Sequence, residues 1–359
     1  MAEGGAPVPP PLLLTGDRTW LDFVLANRWF SCLTGAFVTP TADPGGNTIR
    51  IGGGQVSIAA LIAATGGSGS AMPRELCLLV DGWKPERYVL FRPLAYLVAY
   101  GPEPIFQCAA WAIRALFAFG LWEGDVLLLT DAAHLDFASR LPAVMRERVR
   151  VMAMPADDVL DYTLARYKIV DVKMAEAYQP VPYLDTDIIR DAPARTRLTA
   201  LSPELQVTPE FLLRSPDDHY GQSLLAADGV VPDRDQPGFS SGLFAFRAVS
   251  EQRWLFRMII EAATRVTARA GNRDAYECYD QPFFNYVLHK TRSAGDTVFR
   301  DAVALHLRSL PPLTAPSRKG FVHFAGGVGV AAPKLAHMMG YYEMLAGISS
   351  APPIGTSPR

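Results

Sequence analysis

The chain has 359 residues, 49% of them hydrophobic and 19% charged, the composition of a folded protein with a sizeable core in one large α/β domain or two ordinary ones. A formal net charge of −2 supplies no general basic field and disfavours nucleic acid as a partner. Cys32, Cys77, Cys108 and Cys278 are scattered without a Cys-x-x-Cys pair, so neither a disulfide framework nor a zinc knuckle is expected, and a reducing, cytoplasmic setting is.

Residues 1–92 read as an N-terminal extension or small subdomain. No basic region leads into an apolar run and a cleavage site, and Pro9-Pro10-Pro11 would disrupt a signal helix. Trp20–Phe30 reads as a short helix and Cys77–Val80 as a strand. Gly52-Gly53-Gly54 and Gly66-Gly67-Ser68-Gly69 lack both a following Gly-Lys-Ser/Thr and a Gly-x-Gly-x-x-Gly spacing, so both read as turns or linkers rather than phosphate loops.

From Leu94 the pattern becomes regular. Leu94–Tyr100 reads as a buried strand ended by Gly101-Pro102, and Phe106–Phe119 has helical apolar spacing. The longest apolar stretch, Ile105–Trp122, is interrupted by Gln107 and Arg114 and reads as a buried helix rather than a membrane span. Val126–Thr130 is a second strand. A helix over Leu135–Glu147 leads to the strand Val149–Met154, and a helix over Leu160–Tyr178 leads to the strand that carries Asp185. Strand and helix alternate, which predicts a largely parallel, Rossmann-like sheet flanked by helices, with ligands outside the carboxyl ends of its strands.

Val181-Pro182-Tyr183-Leu184 ends on Asp185-Thr186-Asp187 and resumes as Ile188-Ile189. Two acids spaced by one residue at a strand tip can converge on one hard cation, although the same triplet is compatible with a surface turn of two solvated aspartates. Residues 191–238 read as loops with short helices. Gly238–Arg247 turns into a strand, Gln252–Ala270 is a long amphipathic helix, and Asp280 stands where the next helix begins, a position that suits a capping carboxylate. Strands at Ala304–Leu307 and Gly320–His323, a turn at Ala325-Gly326-Gly327, a helix over Pro333–Leu345 and a loose tail over 349–359 complete the chain, leaving 93–348 as the main domain.

Four pieces in this order, Leu184-Asp185-Thr186-Asp187, Ser241-Gly242-Leu243-Phe244-Ala245-Phe246, Asp280-Gln281-Pro282-Phe283-Phe284-Asn285 and His323-Phe324-Ala325-Gly326, resemble the nucleotide-sugar-dependent glycosyltransferases of the glycogenin-like, retaining group with the GT-A fold. The resemblance covers about residues 94–345. It implies that Asp185, Asp187 and His323 bind Mn²⁺ or Mg²⁺, that Asp185 also reaches the donor's ribose, and that Ser241, Gly242 and Gly326 line the donor. It also implies that Asp280 and Gln281 face the reacting carbon and that Lys168 approaches the donor, at a spacing to Asp185 one residue longer than the family's. Where the family brings a lysine onto the diphosphate this chain has Gly329, and the expected substitute is either Lys334 from the next helix or backbone N–H groups approaching the phosphate at Gly326, Gly327 and Gly329. Ser240 stands where many relatives have asparagine. The implied reaction moves a sugar from a nucleotide diphosphate sugar, a UDP-sugar, to a hydroxyl acceptor. The competing readings are a haloacid-dehalogenase-like phosphatase, disfavoured because its Asp-x-Asp opens the domain, and a nucleotide-sugar-binding protein without activity.

Overall fold

The computed structural model describes residues 93–349 apart from 123, 194–197, 199–200, 214–217, 232–234, 274–275, 277, 308–309 and 327–330, and before them five strands. These five are β1 (Leu12–Gly16), β2 (Thr48–Ile51), β3 (Gly54–Ser57), β4 (Arg74–Val80) and β5 (Lys84–Leu90). Among the described residues they pair only with one another, β1 parallel to β4, β4 antiparallel to β5, and β2 antiparallel to β3. The strand expected at Cys77–Val80 lies in β4. The helix expected at Trp20–Phe30 and the glycines at 66–69 lie outside the described residues.

The main domain is mixed α/β, built on a seven-stranded sheet. Its first strands are β6 (Leu94–Val98), β7 (Asp125–Thr130), β8 (Val149–Ala153) and β9 (Val181–Leu184), all running parallel, with β9 and β7 on either side of β6. Their near-continuous apolar runs follow from burial on both faces. Ala95, Leu97, Val126 and Leu128 face one core, Leu94, Tyr96, Leu127 and Leu129 the other. The first core is covered by α1 (Glu103–Ala118), as the apolar spacing predicts.

Two expected helices differ in the structure. Residues 135–147 form a 3₁₀ turn (Phe137–Arg140) and only a one-turn helix, α2 (Ala143–Arg146), because Pro142 cannot sit in a helix interior and instead stands just before one. The helix expected over 160–178 stops after α3 (Val159–Leu164), which Asp158 caps by accepting from Asp161 N, and continues as two 3₁₀ segments. The break falls beside Arg166, whose side chain turns into the protein.

The strand expected through Val181–Ile189 is two strands in two sheets. β9 ends at Leu184, and β10 (Ile188–Arg190) pairs antiparallel with a later strand. Inside the segment expected to be loops lies an eight-residue strand, β11 (Leu205–Leu212), followed by the short helix α4 (Gln222–Ala227). β11 pairs antiparallel with β12 (Pro237–Phe246), and the register shifts at Val207/Thr208 and Pro209/Leu212. Those irregularities let a proline stand in a strand.

β12 fits between β11 and β9, antiparallel to both. α5 (Val249–Ala270) and α6 (Gln281–Thr291) cover the second core, and β13 (Ala294–Gly295) completes the sheet at its edge. A second, three-stranded sheet has the order β10, β15 (Phe321–His323), β14 (Val303–Leu305), and α7 (Ala331–Ser349) packs on α1. No helix among the described residues is long and apolar enough to cross a membrane.

Candidate metal and donor site

Two strand registers and a tight turn meet at the end of β9. Leu184 pairs with Leu243, so Asp185 N donates to Gly242 O at 2.8 Å. Ile188 pairs with His323, and Phe324 N donates to Asp187 O at 3.0 Å. A turn closed by Ile188 N donating to Asp185 O at 3.2 Å keeps the two aspartates together. Residues 138 positions apart in sequence therefore become neighbours through strand pairing, and one ligand atom each from Asp185, Asp187 and His323 lies within 4.8 Å of the others.

The surroundings fit a hard divalent cation. Asp187 is 8% exposed, and its buried Oδ1 accepts no well-formed hydrogen bond, its nearest charged neighbour being His323 Nε2 at 3.4 Å. Such an atom is costly unless something positive satisfies it. At Gly242 a Cβ would lie 2.8 Å from Asp185 Oδ2 and 3.1 Å from His323 Cε1, so the glycine leaves open the space between two of the ligands. Two carboxylates and an imidazole suit Mn²⁺ or Mg²⁺ and leave positions for phosphate oxygens.

Charge is already balanced here by protein cations. Lys334 Nζ lies 2.6 Å from Asp187 Oδ2, and His323 Nε2 is 3.4 Å from Asp187 Oδ1. Burial opposes ionisation of Asp187, but Lys334 and His323 outweigh it and hold the carboxyl below the usual range. Burial pushes the Asp185 carboxyl up, countered by Arg166 and reinforced by Asp187. His323 is carried above its ordinary value by Asp187 against its burial.

A second acid stands behind the first pair. Asp280 is 2% exposed and precedes α6, yet its side chain makes no capping bond. Its Oδ2 instead accepts from Tyr167 Oη at 2.6 Å and lies 3.6 Å from Arg166 Nε. Arg166 also reaches Asp185 Oδ1 at 3.3 Å through Nη2, and donates from Nη1 to Ser241 O at 2.7 Å and Ser241 Oγ at 3.1 Å. One buried guanidinium thus spans both acids and fixes β12 beside them. The Tyr183 hydroxyl donates to Asp185 Oδ1, and the Tyr96 hydroxyl donates to Arg166 O at 2.9 Å.

α6 is docked by its own motif. Asn285, fully buried, accepts from Phe239 N at 2.7 Å and donates to Phe239 O at 2.8 Å, while Gln281 Oε1 accepts from Ser241 N at 3.3 Å. The amide replaces a strand partner for β12 and brings Asp280 and Gln281 to the site.

Asp185, Asp187, His323, Ser241, Gly242, Asp280, Gln281 and Lys334 are thereby brought together as the sequence suggested. Gly326, at φ +128°, follows directly on from His323-Phe324-Ala325. Gly327 and Gly329 lie outside the described residues. Lys168 turns the other way: its Nζ donates to Pro155 O at 3.4 Å, and the cation that meets Asp185 and Asp280 is Arg166. Arg166, Tyr167 and Tyr183 were not singled out from the sequence. The available signal was a lone arginine inside the apolar run Leu164-Ala165-Arg166-Tyr167, since a buried charge needs a partner.

No known family and no curated protein matches the chain. Among solved structures it is similar to the apo form of mouse xyloside xylosyltransferase 1, 14% identical over 60% of this chain and 87% of that one, with a TM-score of 0.43. It is also similar to the galactosyltransferase LgtC in complex with donor and acceptor sugar analogs, 13% identical over 73% of this chain and 98% of that one, with a TM-score of 0.46. An active-site mutant of LgtC matches at 14% identity, 72% and 98% coverage and a TM-score of 0.46. These neighbours are glycosyltransferases, at a likeness too distant to carry this chain's chemistry.

Proposed function

We propose that the chain is a metal-dependent glycosyltransferase of the GT-A, glycogenin-like kind, a hexosyltransferase that moves a sugar from a UDP-sugar to a hydroxyl acceptor with retention. The observation that carries this reading is the meeting of Asp185, Asp187 and His323, one ligand atom from each within 4.8 Å of the others, with the space at Gly242 left open beside them. Asp185, Asp187 and His323 would hold Mn²⁺ or Mg²⁺, which when bound neutralises charge on the departing diphosphate.

The remaining roles belong to the chain's own groups. Lys334 adds a permanent positive charge beside Asp187, and Ser241, Gly242 and Gly326 border the donor with backbone and small side chains. Asp280, held by Tyr167 and Arg166, offers a fixed carboxylate toward the reacting carbon, where it would stabilise oxocarbenium character, with Gln281 next to it. Arg166 keeps Asp185 and Asp280 at a set separation. Lys168 is a donor contact only if its side chain leaves Pro155. The scattered cysteines support a cytoplasmic setting.

Incubation with a panel of UDP-sugars and Mn²⁺ tests the reading. Release of UDP with transfer of the sugar supports it. Release of inorganic phosphate would indicate the phosphatase, and binding without turnover a nucleotide-sugar-binding protein.

A further inference from the structure

A small recess beside Lys334 is lined by His306, Phe324, Ala325, Pro333, Lys334 and His337. Its interior has room for about one water, so its occupant is a single water or a single ion. No acid lines it, and the ammonium at its edge is already held by Asp187 Oδ2 at 2.6 Å. Two imidazoles remain to face whatever enters.

His306 is the informative member. It follows β14, is 3% exposed, and is fixed by its own N donating to His323 O at 2.8 Å. Its Nε2 is buried without a hydrogen-bond partner, a costly state for a ring nitrogen. His337, in the second turn of α7, places its ring 5.3 Å from that of His306, the two planes inclined at 60°. Two imidazoles bound at about 2.1 Å to one tetrahedral cation have ring centres roughly 5 Å apart. The observed spacing matches that arrangement, and His306 Nε2 does not bond to His337 instead.

We propose that this recess is a second metal site, in which His306 Nε2 and the His337 ring coordinate one transition-metal ion of the Zn²⁺ class, with solvent supplying the remaining ligands. Paired imidazoles suit Zn²⁺, Ni²⁺ or Cu²⁺, and without a carboxylate they discriminate against Mg²⁺ and Mn²⁺. The two sites therefore divide metals by ligand chemistry, since neither histidine belongs to the cluster of Asp185, Asp187 and His323. The ion ties α7 to the end of β14, and so holds the helix that carries Lys334 against the sheet that carries His323.

Zn²⁺ uptake by the full chain, counted by equilibrium dialysis with Mg²⁺ in excess, tests the assignment. Wild type should take up about one equivalent more than His337→Ala or His306→Gln. His337→Ala removes a half-buried ring from a helix surface, and melting without metal verifies that both variants are folded. Asp185→Asn, which weakens the carboxylate cluster and leaves Lys334 on Asp187, should keep the extra equivalent. Zn²⁺ should also raise the melting temperature of wild type more than that of His337→Ala, because an ion bound only by the folded chain stabilises it by mass action. Equal uptake by wild type and either histidine variant would overturn the proposal and leave the recess to a single water. Loss of the extra equivalent in Asp185→Asn would overturn it too, placing the ion on the carboxylates. Neither outcome depends on sugar transfer.

Discussion

Gly242→Ala isolates the metal cradle from the fold. The residue lies inside β12 with no left-handed backbone requirement, so alanine suits its backbone and lowers unfolded-state entropy by up to roughly 1 kcal/mol, a gain that crowding against Asp185 and His323 offsets; the variant should stay folded, within about 2 kcal/mol of wild type. The new Cβ, however, would stand 2.8 Å from Asp185 Oδ2, closer than the 3.0 Å below which real Cβ contacts essentially do not occur, and 3.1 Å from His323 Cε1. Two of the three ligands must each withdraw by a few tenths of an ångström. A misplacement of about 1 Å costs on the order of a hundredfold in a preorganised site, so a fraction of that at two ligands should weaken Mn²⁺ binding about tenfold or more. Thermal melting in EDTA checks the fold, and calorimetric Mn²⁺ titration reads the site. An alanine variant that binds Mn²⁺ like wild type would refute the claim that Gly242 leaves this space for the cation.

Other outcomes follow from the same contacts. Asp280→Asn should lower turnover on the order of a hundredfold, and should also cost about 2 kcal/mol of stability, since it leaves the buried Arg166 less compensated; wild-type turnover would make this carboxylate purely structural. Tyr167→Phe, which removes only the hydroxyl on Asp280, should cost about 1–2 kcal/mol with a smaller loss of rate, read by melting and initial rates. His323, carried above its ordinary value by Asp187 against burial, contributes stability that is full below about pH 6.5 and is lost as pH rises through its elevated folded value. Asp185, whose folded value is raised by burial, acts in the same direction from about pH 4 upward. Asp187, held low by Lys334 and His323 against burial, contributes stability present above about pH 4 and lost as pH falls through its lower folded value. Melting of the metal-free protein should therefore decline above about pH 6.5, and His323→Ala should flatten that decline; an unaltered slope would count against the pair. Deleting residues 1–92, whose described strands pair only with one another, should leave donor binding intact, and a folded truncation without donor affinity would refute their separateness.

What was legible in the sequence depended on how local its cause was. β6 and β7 are buried on both faces, so their apolar runs announce them, and α1 and α5 carry an apolar face over many turns. β11 was hidden because Pro209 reads as a strand breaker, and only the bulged pairing with β12 shows how the strand tolerates it. The helix expected over 160–178 fails at Arg166, where three tertiary partners, Asp185, Asp280 and Ser241, outweigh local propensity.

Of the proposed metal ligands, Asp185 and Asp187 were legible as an acid pair at a strand tip, and His323 only through the resemblance carried by His323-Phe324-Ala325-Gly326. Their meeting depends on the pairing of Ile188 with His323, which no local pattern specifies. Asp280 looked equally like a cap, and its true partners, Tyr167 and Arg166, lie more than a hundred residues earlier.

The central claim is that Asp187 holds a catalytic cation, and it is tested most directly by sugar transfer and donor hydrolysis measured against Mn²⁺ concentration for wild type and Asp187→Ala, with EDTA as the control. The account predicts a wild type that is inactive in EDTA and restored by Mn²⁺, and a variant that stays folded yet gains little at any Mn²⁺ concentration. Full activity in EDTA, or an Asp187→Ala enzyme with unaltered metal dependence, would contradict it.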